Sequence, residues 1–473
     1  MSATPMTTTA VPGDRLDLGA VSWSLFEAGR NPFVMLVTIY VFMPYFSTVM
    51  VGDPVKGQAL VATYGQWAGW IIALTAPLLG ASIDRIGPRK PLLLVSTLVM
   101  AVLMMSLWWA RPDLTGLGIG GVVVAATLIN VLFGYTEVLH NAMLAQAAGP
   151  RLAHKASGLG LALSNAVSVL VLVFVLWAFA LPGKVPWGWI PAQPLFGMDP
   201  AAHEPERIVG PIAGVLCVLG ALPMFLFTPD AARTGNGIAR SLREGLRTLL
   251  GMVGKLRGHR DMTAFLLARM LYVDAMTAVL LFSGVYAAGV MKWHTLTMLS
   301  YGVLLSVFAA LGGILGSRLD AALGPKVAVR IEVLMTLVGL VCVIGMAPER
   351  ILYFWHYDAA TAAPLWNGPF FRTWPDLLYL LIGFSNAAFI TASYSSSRTL
   401  LLRLSPPGES GAFFGIFALS GTATMWLGSF LVHYATATFH SQQAGMGAIV
   451  VLMSCGWIGM CFVRGGGRLA PHG

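Results

Sequence analysis

Uninterrupted apolar stretches of membrane-spanning length recur twelve times along this 473-residue chain, and no other feature constrains its fold as strongly. A helix needs about 20 mostly apolar residues to cross the hydrocarbon core of a bilayer. Runs of that kind occupy residues 22–48, 59–80, 91–109, 117–145, 157–181, 209–228, 263–289, 296–317, 327–347, 376–398, 411–433 and 444–463. Barrel strands are shorter and alternate in polarity, so helix is the state these runs specify. Charged residues make up 10% of the chain, whereas a water-soluble fold carries about 25%. The expected fold class is all-α integral membrane, with about twelve transmembrane helices.

The formal charge of +9 raises nucleic-acid binding as a reading, but the basic residues are spread through short loops between spans, as the positive-inside rule produces. If the N-terminus lies inside, 20 Lys and Arg fall on the inner side and 7 on the outer. Both termini are then expected to be cytoplasmic. Residues 1–19 are polar and lack a basic region followed by an apolar core, so the first span is read as an uncleaved anchor. The expected organisation is a tail (1–21), a first bundle (22–228), a connection (229–262), a second bundle (263–463) and a tail (464–473). Within the connection, Leu242, Leu246, Leu249, Val253 and Leu256 fall at helical spacing among Arg243, Arg247 and Lys255. That pattern predicts a basic amphipathic helix on the membrane surface. The long outer loops 182–208 and 348–375 hold Trp187, Trp189, Trp355, Trp366 and Trp374, residues that favour the membrane interface.

The halves repeat. Gly80-Ala-Ser-Ile-Asp84-Arg85-Ile-Gly87-Pro88-Arg89-Lys90 follows the second span, and Gly316-Ser-Arg-Leu-Asp320-Ala-Ala-Leu-Gly324-Pro325-Lys326 follows the eighth. Ser157-Gly-Leu-Gly160 and Ala412-Phe-Phe-Gly415 mark the fifth and eleventh. Two six-span units in the same orientation frame a central site near the midplane.

The Gly80–Lys90 segment resembles the signature loop of the major facilitator superfamily, Gly-x3-Asp-Arg-x-Gly-Arg-Lys, with Pro88 inserted. In residue terms, glycine permits a tight turn, and the basic residues can hold the loop inside and meet lipid phosphates. The resemblance further implies that Asp84 latches the halves against the backbone around Glu409–Phe413. Within the superfamily, four segments resemble the vacuolar autophagy-related amino-acid-efflux family and its bacterial "unknown major facilitator" relatives. These are Trp23-Ser-Leu-Phe-Glu27, His140-Asn141-Ala-Met-Leu144, Tyr272-Val-Asp274 and Phe413-Phe-Gly-Ile-Phe-Ala-Leu-Ser-Gly421. Against that pattern Glu27 replaces Asp, His140 replaces Tyr and Ala275 replaces Gly, while Arg30 stands near a usual Asn. The resemblance implies a transporter of amino acids or related metabolites in a bacterial cytoplasmic (inner) membrane.

Ionisable residues inside spans are costly and mark function by default. Glu27 and Arg30 are three apart in the first span, either a self-neutralising pair or part of a relay. Arg269 and Asp274 lie in the seventh, five apart, so each is expected to face a partner elsewhere. Cross-half pairs Glu27–Arg269 or Arg30–Asp274 follow from the repeat. Glu137, His140 and Asn141 are read as sharing one face of the fourth span, as a proton relay or a packing cluster. Glu332 is expected to be solvated or interfacial at the start of the ninth span. Asn130, Asn165 and Asn386 are candidates for a polar cavity lining or for interhelical hydrogen bonds. Gly65/Gly69, Gly312/Gly316 and Gly411/Gly415 are read as close packing.

No metal ligand set stands at the right spacing. Cys217, Cys342, Cys455 and Cys461 lie in apolar segments without paired spacing and are read as packing residues. Gly116-x-Gly-x-x-Gly121 opens an apolar span with no strand before it, so its dinucleotide-binding reading is set aside. No Walker, His-Glu-x-x-His or Gly-x-Ser-x-Gly sequence occurs. The expectation is a monomeric secondary carrier, not an enzyme, without cofactor or nucleic-acid partner. It moves a small solute, with protons or another ion as coupling candidates. The alternatives are a sugar-type cation symporter and a non-transporting receptor or scaffold.

Overall fold

The structure, a computed structural model, describes residues 16–231, 243–247, 251, 254, 256–358, 361–405 and 410–465. Among the described residues, ten helices are long and apolar enough to cross a membrane. They are Leu18–Met50, Lys90–Trp109, Ile119–Leu144, Lys155–Ala180, Glu204–Phe227, Arg260–Gly289, Thr295–Leu323, Pro325–Ile344, Trp374–Leu404 and Gln442–Cys461. The helix Pro54–Ile86 and the pair Ser410–Ala423 and Leu427–Phe439 supply the second and eleventh passes. The expected all-α membrane fold is what the chain adopts.

Several boundaries depart from the hydropathy reading, each for a local reason. The first span is interrupted. Its helix Leu18–Arg30 gives way beside Pro32 to a wider π-helical stretch, Phe33–Tyr40, and a second, Phe46–Met50, follows Pro44. Proline cannot donate an amide hydrogen bond and crowds the preceding turn, and the chain responds by widening. The fourth and fifth spans, together Ile119–Val175, are two helices that meet at a sharp kink at Gly149 (φ 66°, ψ 163°). The eleventh span, read from sequence as continuous, breaks at Thr424–Trp426.

The signature segment is mostly helix. The second span runs on through Gly80, Asp84 and Arg85 to Ile86, and the turn falls at Gly87 (φ 98°) rather than at Gly80. In the other half Asp320 is likewise helical, and Gly324 (φ 82°) makes the turn. Both turns require backbone that glycine adopts without steric cost. Arg89 is buried, not lipid-facing. Its guanidinium donates to the Ala142 carbonyl at 2.9 Å and to Gln146. Lys90 Nζ donates to the Phe225 carbonyl at 2.9 Å, at the end of the sixth span. Asp230 accepts from the Arg89 and Lys90 amides at 2.9 and 3.0 Å. The second half repeats the device: Lys326 Nζ donates to the Arg464 carbonyl at 2.9 Å, and Arg330 grips the Met460 carbonyl at 2.8 Å. Cations at helix C-termini are favourable because exposed carbonyls concentrate negative potential there. The side chains of Asp84 and Arg85 and the segment 406–409, and so the latch, lie outside the described residues. Half of 229–262 does also, although residues 243–247 are helical.

The halves meet most tightly toward the end that carries the aromatic loops. There the Gly284 backbone of the seventh span lies so close to the first that a built Cβ would stand 1.6 Å from the Ile39 carbonyl oxygen. Gly65 and Gly69 face Ser429 and Trp426 of the eleventh span, where a Cβ would meet atoms at 2.6 Å. Gly312 and Gly316 pack against Ala388 and Ala392 of the tenth, and the surroundings of Gly411 and Gly415 are outside the described residues. Hydrogen bonds between halves cluster at the same end. Gln58 donates to Thr436 Oγ1 (2.9 Å) and to the Gln442 carbonyl (3.1 Å), and Gln442 donates back to Gln58 Oε1 (3.1 Å). Thr295 donates to Glu206 at 2.7 Å, and Thr63 meets His433 at 3.1 Å. The loop before the tenth span adds a short antiparallel pairing of Arg350–Ile351 with Trp355–His356.

Overpacking a tight contact costs about 1–3 kcal/mol. Gly284→Ala is therefore expected to lower the apparent melting temperature of the purified protein by several degrees. Gly313→Ala, at a site with open space, is expected to leave it unchanged, and equal melting temperatures for the two variants would contradict the backbone contact.

Candidate functional site: an acid-lined cavity between the halves

Two cavities meet near the centre of the helical assembly. One, about 240 Å³, is walled by the first, second, fourth, seventh and eleventh spans. The other, about 250 Å³, is walled chiefly by the first, fifth, seventh, eighth and tenth. They share Val34, Ile39 and Leu280, so they are adjoining lobes divided by the first and seventh spans. The first lobe carries Glu137, Asp274, Asn130 and Tyr64, and the second carries Tyr301, Tyr379, Tyr394, Asn165 and Asn386. Among the described residues, no Lys, Arg or His lines either.

The cluster on the first and fourth spans explains where the cations went. Arg30 donates to both Glu27 oxygens at 2.8 and 3.0 Å and to the Phe133 carbonyl at 3.0 Å. Its guanidinium lies 4.2 Å from the Phe133 ring centroid. Glu137 approaches it only to 3.9 Å, and 54% of the Glu137 side chain is exposed. His140 is fully buried, stacked on Trp23 at 4.1 Å, with Nε2 donating to the Trp23 carbonyl at 2.8 Å. Trp23 Nε1 donates back to the His140 carbonyl at 2.8 Å. With Nε2 so engaged, Nδ1 faces Glu27 Oε2 at 3.4 Å, where a proton gained by the ring would form an ion pair.

The common face expected for Glu137, His140 and Asn141 is not found. His140 is buried against the first span, while Glu137 and Asn141 are exposed. Neighbouring helix positions are about 100° apart, enough to send His140 and Asn141 to different surroundings. Asn130 bonds to the Ala126 carbonyl at 2.9 Å within its own helix. Asn386 is buried with Oδ1 unpartnered against Gly339.

In the seventh span the charges are satisfied by the eleventh. Arg269 donates to the Phe417 carbonyl at 2.9 Å and to Ser420 Oγ at 2.8 Å, with its guanidinium 3.5 Å from the Phe417 ring centroid. Asp274 Oδ2 accepts from the Gly428 amide at 2.8 Å. That amide belongs to the first turn of Leu427–Phe439, just past the break. Thr424 within the break donates to the Met270 carbonyl at 3.0 Å. The cation therefore sits against the last turns of one half-helix and the anion caps the start of the next, as the helix dipoles favour. The expected cross-half pairs Glu27–Arg269 and Arg30–Asp274 are absent in this conformation, because each charge finds its partners inside its own half.

Glu332 also departs from expectation. It is fully buried and accepts from Ser396 Oγ at 2.9 Å. A start-of-helix position reads as exposed in sequence, but the tenth span packs over it.

A search for charge in spans misses neutral groups. Tyr64 lines the acidic lobe, is 1% exposed, and its hydroxyl has no partner among the described residues. The Gln58–Gln442–Thr436 clasp and the eleventh-span break are equally silent to that search. The two threonines and the glycine of Thr422-Ala-Thr424-Met-Trp-Leu-Gly428 were the available signal for the break.

Comparison with known proteins follows this geometry. The family described as "Vacuole effluxer Atg22 like" matches residues 68–465. No curated protein matches in sequence. Among solved structures, the nucleoside transporter NupG is similar with a TM-score of 0.60 at 10% identity, covering 94% of this chain and 98% of that one. The xylose transporter XylE from E. coli, in a partially occluded inward-open form, scores 0.59 at 14% identity over 95% and 97%. A bacterial homologue of the human lysosomal transporter Spinster, inward-facing and occupied, scores 0.55 at 11% identity over 94% of each chain. These likenesses establish the fold, and the proteins named are transporters rather than enzymes. The chain belongs to the Atg22-like vacuole effluxer family and is a multi-pass membrane transporter of the major facilitator type.

Proposed function

We propose that this protein is a secondary carrier that moves an amino acid or related small metabolite outward across the cytoplasmic membrane of a bacterium. The halves rock about the acid-lined cavity as they do so. The observation that carries the reading is Glu137 and Asp274 facing one lobe between the halves. Carboxylates buried in a bilayer are retained where they serve transport or coupling. The effluxer description of the family supports the direction, and the small polar solutes named for NupG and XylE support the solute size. Contacts concentrated at the aromatic-loop end, and the inward-facing forms of the XylE and Spinster-homologue structures, support a state closed toward the outside. The positive-inside bias supports cytoplasmic termini. Asp274 and Glu137 face the lumen, which supports proton coupling. The signature-turn residues Gly87, Arg89, Lys90 and Lys326 act in this reading as fasteners within each half.

Two experiments test it. In proteoliposomes, a labelled amino acid or its corresponding amine should enter saturably and show counterflow, and Asp274→Asn should reduce that flux at least tenfold. Leu74→Ala, on an exposed flank, should not. Specific binding without flux would favour a receptor instead. In intact cells, a membrane-impermeant maleimide should label Thr115→Cys and not Ala322→Cys, with the four native cysteines replaced by alanine. The opposite pattern would invert the topology.

A further inference from the structure

The cavity is asymmetric in charge. Its carboxylates face the lumen, and its nearest cations do not. Arg30 and Arg269 each donate to a backbone carbonyl and lie under a phenyl ring, at 4.2 and 3.5 Å. Neither guanidinium lines a lobe. The backbone amide at the start of Leu427–Phe439, which could also receive an anion, is already held by Asp274 at 2.8 Å. Glu137, by contrast, has 54% of its side chain exposed with Arg30 no nearer than 3.9 Å. Tyr64 adds an unpartnered hydroxyl to the same lobe while 1% exposed. A buried hydroxyl without a partner leaves unmet hydrogen-bonding capacity that a ligand can satisfy. Among the described residues the adjoining lobe carries no charge and is walled by tyrosines, aliphatic side chains and a few neutral polar groups, Asn165 and Asn386 among them.

We infer that this cavity selects a cationic amine with an apolar or aromatic body, held by Glu137 and Asp274 at its ammonium with Tyr64 beside it. The inference rests on the carrier reading for its purpose and narrows the solute within it. The ammonium meets two carboxylates in a lobe that Phe33 and Phe133 also line, and aromatic walls favour cations. The body fills the uncharged lobe. A carboxylate on the same solute would be buried beside like charge with no cation to receive it, and buried charge without a partner is strongly disfavoured. The wall therefore discriminates by repulsion as well as attraction. A monoamine should bind better than the amino acid with the same side chain, and the corresponding acid lacking the amine should not bind.

Three probes sharing one phenol ring test this: tyramine, tyrosine and 3-(4-hydroxyphenyl)propionate. Each is titrated calorimetrically into the purified full-length protein in detergent. Tyramine should bind at least tenfold more tightly than tyrosine, and the propionate should give no heat of binding. Glu137→Gln and Asp274→Asn should each weaken tyramine at least tenfold, and Glu137→Asp should retain most of the affinity. If the neutral variants fail to fold, the comparison among probes on the unmodified protein still decides. Tyrosine or the propionate binding as tightly as tyramine overturns the inference. So does failure of both tyramine and isoamylamine to bind. Tyramine binding without flux in proteoliposomes would sink the carrier reading and leave the ligand class standing. Tyrosine flux without amine binding would do the reverse.

Discussion

In the hydrocarbon core a charged side chain must find its partner within the protein, and this one requirement organises the molecule. Lipid offers neither hydrogen bonds nor counter-ions. Arg30 is taken up by Glu27 and the Phe133 carbonyl, Arg269 by Phe417 and Ser420, Asp274 by the Gly428 amide, and Glu332 by Ser396. Each of these bonds lies inside one half. Between the halves stand mostly glycine contacts and neutral hydrogen bonds, with Glu206 the one carboxylate among the described links. Neutral contacts of this kind separate at far lower cost than buried ion pairs, whose rupture strands a charge. The distribution thus favours two coherent bodies joined by a seam that can part.

The repeat shows in mechanical details and dissolves in chemical ones. Gly87 and Gly324 make positive-φ turns at corresponding positions, and Lys90 and Lys326 hold carbonyls at or just past the ends of the sixth and twelfth spans. At the centre the halves part company. The first builds a cluster of Glu27, Arg30, Glu137 and His140 between two helices, whereas the second splits a helix and places Arg269 and Asp274 against its two pieces. Duplication supplied the frame, and the polar residues at its centre have since diverged.

Much of the frame was legible because hydrophobic length and helix propensity act locally. Twelve spans, the duplicated turns and the packing glycines follow from runs of neighbouring residues. The partners of Arg269 and Asp274 were not legible, because they are backbone groups exposed by a break in a distant helix. Sequence reports side chains and leaves freed amides and carbonyls invisible, so a cross-half ion pair was the natural but mistaken expectation. Glu332 misled in the same way: whether a helix start is wet depends on the neighbour packed over it. His140 and Asn141 separated because one residue of helix rotation carries a side chain from a helix interface to open space. Neutral groups such as Tyr64, Gln58 and Gln442 carry no sequence signal of their own, and only the fold gives them roles.

The central claim is that two rigid halves alternate about the cavity, closed in this state at the aromatic-loop end. Pulsed-EPR distances measured in proteoliposomes test it most directly. One spin-label pair would sit at Thr115 and Thr438 at the aromatic-loop end, and another at Pro88 and Ala322 at the signature-turn end. On passing from solute-free to solute-saturated conditions, the account predicts that one distance distribution shifts longer as the other shifts shorter. Both pairs moving in the same direction, or neither moving, would contradict it.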